Sequence, residues 1–243
     1  MICRAVEKEG VIMSDIRQNI IDIKQEIAEI CDRANRNPDD ILLLGVTKTV
    51  EPQRINEAIA EGITDIGENR VQEILNKYES VDPVHWHLIG HLQTNKVKYI
   101  VDKVKMIHSL DSIRLAEEIN KRAKQHQVLM DVLVQINVAK EDTKFGLYVD
   151  ELDDFIKKVQ EFENINIKGL MTIAPFEENP EKVRPYFRTL KSIFERIKAK
   201  KLERVDMQYL SMGMSNDFKI AIEEGANIIR IGTAIFGKRN YNK

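Results

Sequence analysis

Along the chain, the spacing of apolar residues alternates between steps of three and four and short unbroken runs. Ile16, Ile20, Ile23, Ile27 and Ile30 step by four, three, four and three, an amphipathic helical stripe with Ser14 placed to cap it. Asn37-Pro38 closes that helix, because proline disfavours helix in the residue before it. Residues 41–46 are aliphatic apart from one glycine, a strand buried on both faces as in a parallel sheet, and the run delivers Lys48. Pro52 suits the first turn of a helix over 52–61, which Gly62 ends. The same unit then recurs. The pattern predicts further strands at 63–66, 85–89, 105–108, 128–138, 165–173, 205–210 and 227–231. Between them it predicts helices marked by Val71 to Tyr78, by Val97, Ile100 and Val101, and by Leu115, Ile119 and Ala123, the last capped by Asp111. Three more follow Asp150, Pro180 and Ser215, and residues 67–70, 139–148 and 175–180 read as loops.

Eight strands alternating strictly with helices imply right-handed parallel crossovers, and eight such strands can close on themselves. The predicted fold is therefore an α/β protein, a (β/α)8 TIM barrel with an extra N-terminal helix, forming a single domain over 14–243. A doubly wound open sheet is the alternative, but no GxGxxG follows the first strand. Residues 1–13 mix Arg4, Glu7, Lys8 and Glu9 without an apolar core, so they read as a disordered extension upstream of Met13 rather than a secretory signal.

Composition narrows the function classes. A formal charge of −2 gives no electrostatic reason to expect nucleic acid as partner. No apolar run approaches the ~20 residues that span a bilayer, so no membrane partner is expected. Two cysteines, Cys3 and Cys31, suit a reducing compartment, and a cytoplasmic location is the expectation.

In such a barrel, chemistry collects beyond the carboxyl ends of the strands. Reading those ends gives Lys48, then Gly67-Glu-Asn69-Arg70, Gly90-His91, Ser109, Asn137 with the loop to Lys144, Thr172 to Pro175, Ser211 to Ser215, and Gly232-Thr233. Desolvation at a strand end favours the neutral lysine amine, the form that attacks carbonyls. The last two ends offer glycines and hydroxyls suited to a phosphate, although Gly213 and Gly232 would equally serve tight turns. A reactive lysine beside an anion site suggests either a phosphosugar aldolase or a pyridoxal phosphate protein, and these residues alone leave both open.

The motifs Gly45-Val-Thr-Lys48, Gly67-Glu-Asn-Arg70, Trp86-His-Leu-Ile-Gly90-His-Leu-Gln93, Lys144-Phe-Gly146, Gly169-Leu-Met-Thr172, Leu210-Ser-Met-Gly-Met-Ser215 and Arg230-Ile-Gly-Thr233 run in order through nearly the whole chain. In this the sequence resembles the pyridoxal phosphate homeostasis protein family, relatives of the fold type III barrel of alanine racemase. The resemblance implies that Lys48 holds pyridoxal 5′-phosphate (PLP) as a Schiff base. It also implies that Ser211, Gly232 and Thr233 bind the phosphate, that Arg230 faces the pyridine nitrogen and that Asn69 lines the ring side. Met212 and Ser215 belong to the same phosphate-side loop. A cationic guanidinium at the ring nitrogen opposes its protonation and weakens the cofactor as an electron sink. Racemases of this kind add a second base from a separate domain, which this chain is too short to carry. The implied job is holding, buffering and delivering PLP, with PLP-dependent apoenzymes as possible recipients and without efficient turnover.

The alternative is a PLP-dependent amino acid racemase or lyase, with His91 the first candidate for a second base. His85 and His87 share a strand face with His91 following, which invites zinc. No cysteine is near, and the two histidines are expected to pack beside Trp86 rather than bind a metal.

Overall fold

The computed structural model describes residues 16–141 and 143–237. The proposed cap Ser14, the extension 1–13 and Cys3 lie outside them. The first helix, α1 (Ile16–Arg33), buries the predicted isoleucine stripe together with Cys31. The strands are β1 (Leu42–Val46), β2 (Asp65–Glu68), β3 (His85–Leu88), β4 (Met106–Leu110), β5 (Met130–Gln135), β6 (Ile165–Met171), β7 (Val205–Met214) and β8 (Ile228–Ile231). All are parallel, and β8 returns to pair with β1, Leu44 opposite Arg230, so the sheet closes in sequence order as a barrel. The helices are α2 (Pro52–Ala60), α3 (Val71–Lys77), α4 (Ile113–His126), α5 (Leu152–Val159), α6 (Arg184–Ala199), α7 (Phe218–Glu223) and α8 (Thr233–Phe236). At four residues, α8 is too short to cover the seam where the barrel closes, and α1 packs there against α2, α7 and α8. That is the role of the extra helix.

Strand alternation sorts side chains into two cores. Those pointing outward, such as Leu43, Ile66, Leu88 and Ile229, pack under the helices in one continuous core. Those pointing inward form a smaller apolar group of Leu44, Ile89, Met106, Leu133, Met171 and Ile228. The lumen is not wholly apolar, however, and its polar members matter below.

Several local expectations are corrected. The segment after β3 is a 3-10 helix (Thr94–Tyr99), with bonds from Lys96 N–H to Gln93 O and Ile100 N–H to Val97 O. It is too short for a full apolar stripe. Gly67 and Glu68 belong to β2 rather than to a loop. Ser112, not Asp111, caps α4, its Oγ accepting from Leu115 N–H at 3.3 Å, while Asp111 turns to His91. A 3-10 turn over Val149–Glu151 precedes α5, which opens at Leu152 rather than at Asp150. Finally, β7 runs on to Met214, so α7 starts at Phe218 and not near Ser215. Asp217 stops the strand by accepting from Met214 N–H at 2.6 Å.

Candidate functional site

A cavity of about 850 Å³ opens at the carboxyl ends of the strands, within the range of small-molecule sites. Its lining brings together Lys48 from β1, Asn69 from β2, Ser215 and Asp217 from beyond β7, and Arg230, Gly232 and Thr233 from β8 and its turn. Lys48 continues the inward side of β1 that Leu42, Leu44 and Val46 occupy, which sets its half-buried side chain at the mouth of the lumen. Ile173, Phe176 and Met214 give the mouth an exposed apolar edge.

Tight backbone approaches shape the walls. A Cβ on Gly90 would lie 2.2 Å from the carbonyl oxygen of Asn69, so only glycine lets the chain just beyond β3 pass close to that residue. Gly213 has φ +93°, and a Cβ there would meet the Ala221 Cβ at 2.5 Å. Helix α8 makes its first internal bonds from Ile235 and Phe236 N–H to Gly232 O, so the N–H groups of Thr233 and Ala234 have no partner within the helix. Thr233 and Ala234 line the cavity, as does Ser215. Asn19 of α1 donates to Ile235 O at 2.9 Å and also lines the cavity, a contribution of the extra helix that no sequence motif announced.

Two expected ligands are placed elsewhere. Ser211 is fully buried in the lumen and is not among the lining residues; its Oγ accepts from Arg230 Nη1 at 2.8 Å and meets His108 Nδ1 at 3.1 Å. Met212 points outward into the core under the helices. The alternation explains both: Ser211 and Met212 are consecutive strand residues and face opposite ways, before the register with β8 shifts between Ser211 and Met214. The hydroxyl that reaches the cavity belongs to Ser215.

Arg230 is 4% exposed and forms part of the cavity floor. Its Nη2 donates to Thr172 O at 2.9 Å, opposite the Nη1 bond to Ser211. Burial lowers its pKa to about 10, with Asp217 opposing, so it stays cationic at neutral pH. Burial likewise raises the Asp217 carboxyl, against the Met214 N–H and the Arg230 charge.

Behind the Lys48 turn lies a second polar cluster, outside the barrel. Lys77 Nζ donates to Glu68 Oε1 and to Thr47 O, both at 2.9 Å, and pairs with Glu73 at 2.6 Å. Thr47 Oγ1 donates to the same Glu68 oxygen at 2.7 Å. Glu73 in turn accepts from Thr49 N–H at 3.4 Å. Thr49 has φ +62°, a left-handed conformation costly for a β-branched residue. The turn carrying Lys48 is thus tied at 47 and 49.

The histidines do not pack beside Trp86. Trp86 faces the outer core, while His87 is buried in the lumen, 2.8 Å from Asp65 Oδ1 and 2.9 Å from His108 Nε2. His85 sits beside the same carboxylate at 3.4 Å, largely exposed. His91 stacks on Phe145, ring centres 3.8 Å apart, and its Nδ1 lies 3.4 Å from Asp111. It is not a lining residue. Among the described residues, no group of three or more His, Cys, Asp or Glu side chains is arranged to hold a metal ion. Nor is any helix there long and apolar enough to cross a membrane.

Fold and site together define a barrel of the alanine racemase type, and residues 22–240 match the family description "Alanine racemase, N-terminal domain". A "Pyridoxal phosphate homeostasis protein" of Aquifex aeolicus is 48% identical over 221 residues, covering 90% of this chain and 96% of that protein. One of the same name from Escherichia coli strain K12 is 36% identical, covering 95% and 100%. The chain belongs to the pyridoxal phosphate homeostasis protein family. Among solved structures, PipY of Synechococcus elongatus PCC7942 with PLP bound superposes with TM-score 0.80 at 29% identity, covering 91% of this chain and all of that one. An alanine racemase of Clostridium difficile 630 superposes with TM-score 0.68 at 16% identity over 95% of this chain and 61% of its own, a likeness of fold alone.

Proposed function

We propose that this chain binds pyridoxal 5′-phosphate in the rim cavity, anchors it on Lys48, and serves PLP homeostasis by holding, buffering or delivering the cofactor without efficient turnover. The observation that carries this is the meeting of Lys48 and Arg230 in one cavity with the Ser215, Gly232 and Thr233 wall. The donor set fits the group: an amine for its aldehyde, hydroxyls and helix-start N–H groups for its phosphate, and a buried cation for the ring. Bound there, the cofactor supplies an aldehyde with which a neutral lysine amine forms a reversible Schiff base, releasing water. Lys48 then acts as a tether. Arg230, cationic and fixed on two sides, presents a donor that disfavours a proton on a ring nitrogen. Asn69 borders the ring side, and Ser215, Gly232 and Thr233 form the phosphate side.

The rival racemase or lyase reading needs a second acid–base group across from the lysine. Among the described residues no histidine or tyrosine lines the cavity, and His91 is engaged with Phe145 and Asp111. That removes the histidine and tyrosine candidates and leaves Lys144, Glu177 and Asp217 as the other titratable side chains on the cavity wall. The test is to add PLP, reduce with borohydride and map the label by peptide mass spectrometry. A label on Lys48, absent in Lys48→Ala, is expected; no binding by the unmodified protein would overturn the assignment. Sustained loss of optical activity from L-alanine at enzymatic rates would overturn the carrier role. Loaded protein is expected to reactivate a PLP-dependent apoenzyme, the class of partner this role requires.

A further inference from the structure

Five buried polar side chains cross the barrel lumen in a single file. Arg230 Nη1 meets Ser211 Oγ at 2.8 Å, Ser211 meets His108 Nδ1 at 3.1 Å, His108 Nε2 meets His87 Nδ1 at 2.9 Å, and His87 Nε2 meets Asp65 Oδ1 at 2.8 Å. All five are at most 4% exposed. They come from β8, β7, β4, β3 and β2, and the step from His108 to Ser211 joins two strands that are not neighbours in the sheet.

With both imidazoles neutral, the donors and acceptors allow one consistent assignment. Arg230 can only donate and ionised Asp65 can only accept, so both ends are fixed. His87 must donate from Nε2 to Asp65, which leaves its Nδ1 to accept. His108 therefore donates from Nε2 and accepts at Nδ1, and Ser211 gives its proton to His108 while accepting from Arg230. Every hydrogen bond points the same way, from the guanidinium to the carboxylate. The surroundings agree. Burial lowers both imidazole pKa values, that of His108 furthest, so both rings are neutral. Burial opposes ionisation of Asp65, but bonds from His87, Thr64 and Lys105 hold its carboxyl well below the usual range.

We propose that Asp65, His87, His108 and Ser211 form a positioning relay that orients Arg230 in the cavity floor from the opposite end of the barrel. Asp65 begins β2, and Lys105, 3.1 Å from it, immediately precedes β4, so the relay starts at the amino-terminal mouth. There His85 and Lys105 bring it to solvent. With Nη1 on Ser211 and Nη2 on Thr172 O, the guanidinium plane is fixed, and one orientation faces the cavity. The barrel thus steadies its buried cation through a file that ends outside the cavity, while Asp217, the carboxylate whose charge acts on Arg230, stands in the cavity wall. Chains of hydrogen bonds polarise one another in such low-dielectric surroundings, which makes the far end felt at the near one.

The inference rests on the cavity being the PLP site, and the experiment separates the two. In the cofactor-free protein, imidazole ¹⁵N NMR is expected to show both His87 and His108 as neutral Nε2–H tautomers. An Nδ1–H tautomer or a charged ring at either position would overturn the relay whether or not PLP binds. In the PLP-loaded protein, Asp65→Asn is expected to shift the absorption maximum of the bound cofactor and to weaken its retention about tenfold, the scale of one charge-assisted hydrogen bond. Lys168→Met, which removes a lysine–aspartate pair with Asp206 outside the file, is expected to move neither. An unchanged spectrum in both Asp65→Asn and Ser211→Ala would reduce the chain to a packing device and overturn its role toward the site.

Discussion

The two buried polar clusters use similar materials to opposite effect. In the lumen, Asp65 receives His87, Lys105 and Thr64. Behind β1 and β2, Glu68 receives Lys77 and Thr47, but both act on Oε1, and no hydrogen-bond partner meets the buried Oε2. The Asp65 carboxyl is held below the ordinary carboxylate range, whereas burial raises that of Glu68 against Lys77 and Thr47. The difference teaches that proximity to a cation does not decide the sign. Donor count against desolvation does. Each cluster also serves one half of the site: the inner one fixes Arg230, and the outer one fixes the turn of Lys48.

The largest expected effect separates the clusters by their dependence on charge. Lys77→Met strands the Glu68 carboxylate and is expected to cost about 3–5 kcal/mol in urea unfolding, much of it regained in Lys77→Met with Glu68→Gln. A loss below 1 kcal/mol, or no recovery in the double variant, would contradict a buried ion pair as the core of the outer cluster. Ser211→Ala breaks the inner file midway without removing a charge. A cost of about 1–3 kcal/mol is expected, the range for leaving a buried polar group unsatisfied. Equal costs for the two variants would erase the distinction.

Acid titration of stability sharpens the contrast. For Asp65, folded below its unfolded pKa of ~3.9, the contribution is present above that value and is lost as pH falls through the folded pKa. Glu68 is folded above its unfolded value, so its contribution is full at low pH and is lost as pH rises through the folded pKa. Unfolding free energies across pH 3 to 8 should therefore show the advantage of wild type over Asp65→Asn shrinking only at the acid end. Measured against Glu68→Gln, wild type should gain as pH falls from neutrality. The smallest effect concerns strain. Thr49→Gly relieves the left-handed conformation and is expected to raise stability by about 0.5–1 kcal/mol in thermal unfolding, while loosening the Lys48 turn. A destabilised glycine variant would show that the threonine contacts outweigh its strain.

How much of this was legible beforehand varies by residue. The 3.6-residue and buried-strand patterns placed α1 and the eight strands, because side-chain burial in a closed parallel barrel follows local periodicity. Lys48, Asn69, Ser215, Arg230, Gly232 and Thr233 do gather in one cavity, since all follow from the rule that strand ends share a face. Ser211 and Met212 did not, because both lie inside β7, where alternation turns one into the lumen and the other under the helices, and no local signal marked that the strand runs on past Leu210 to Met214. Glu68 read as part of a loop, and nothing local marked Lys77 as its partner.

By itself, then, the sequence determined the alternation, the count of strands and the identity of the lysine at the end of the first. Only the tertiary structure decided that a histidine on β4 would face a serine on β7 across the lumen. Period-two alternation says which residues point inward, but not what stands opposite them. Closure and register choose those partners, and they joined Asp65 to Arg230 through residues with no common motif.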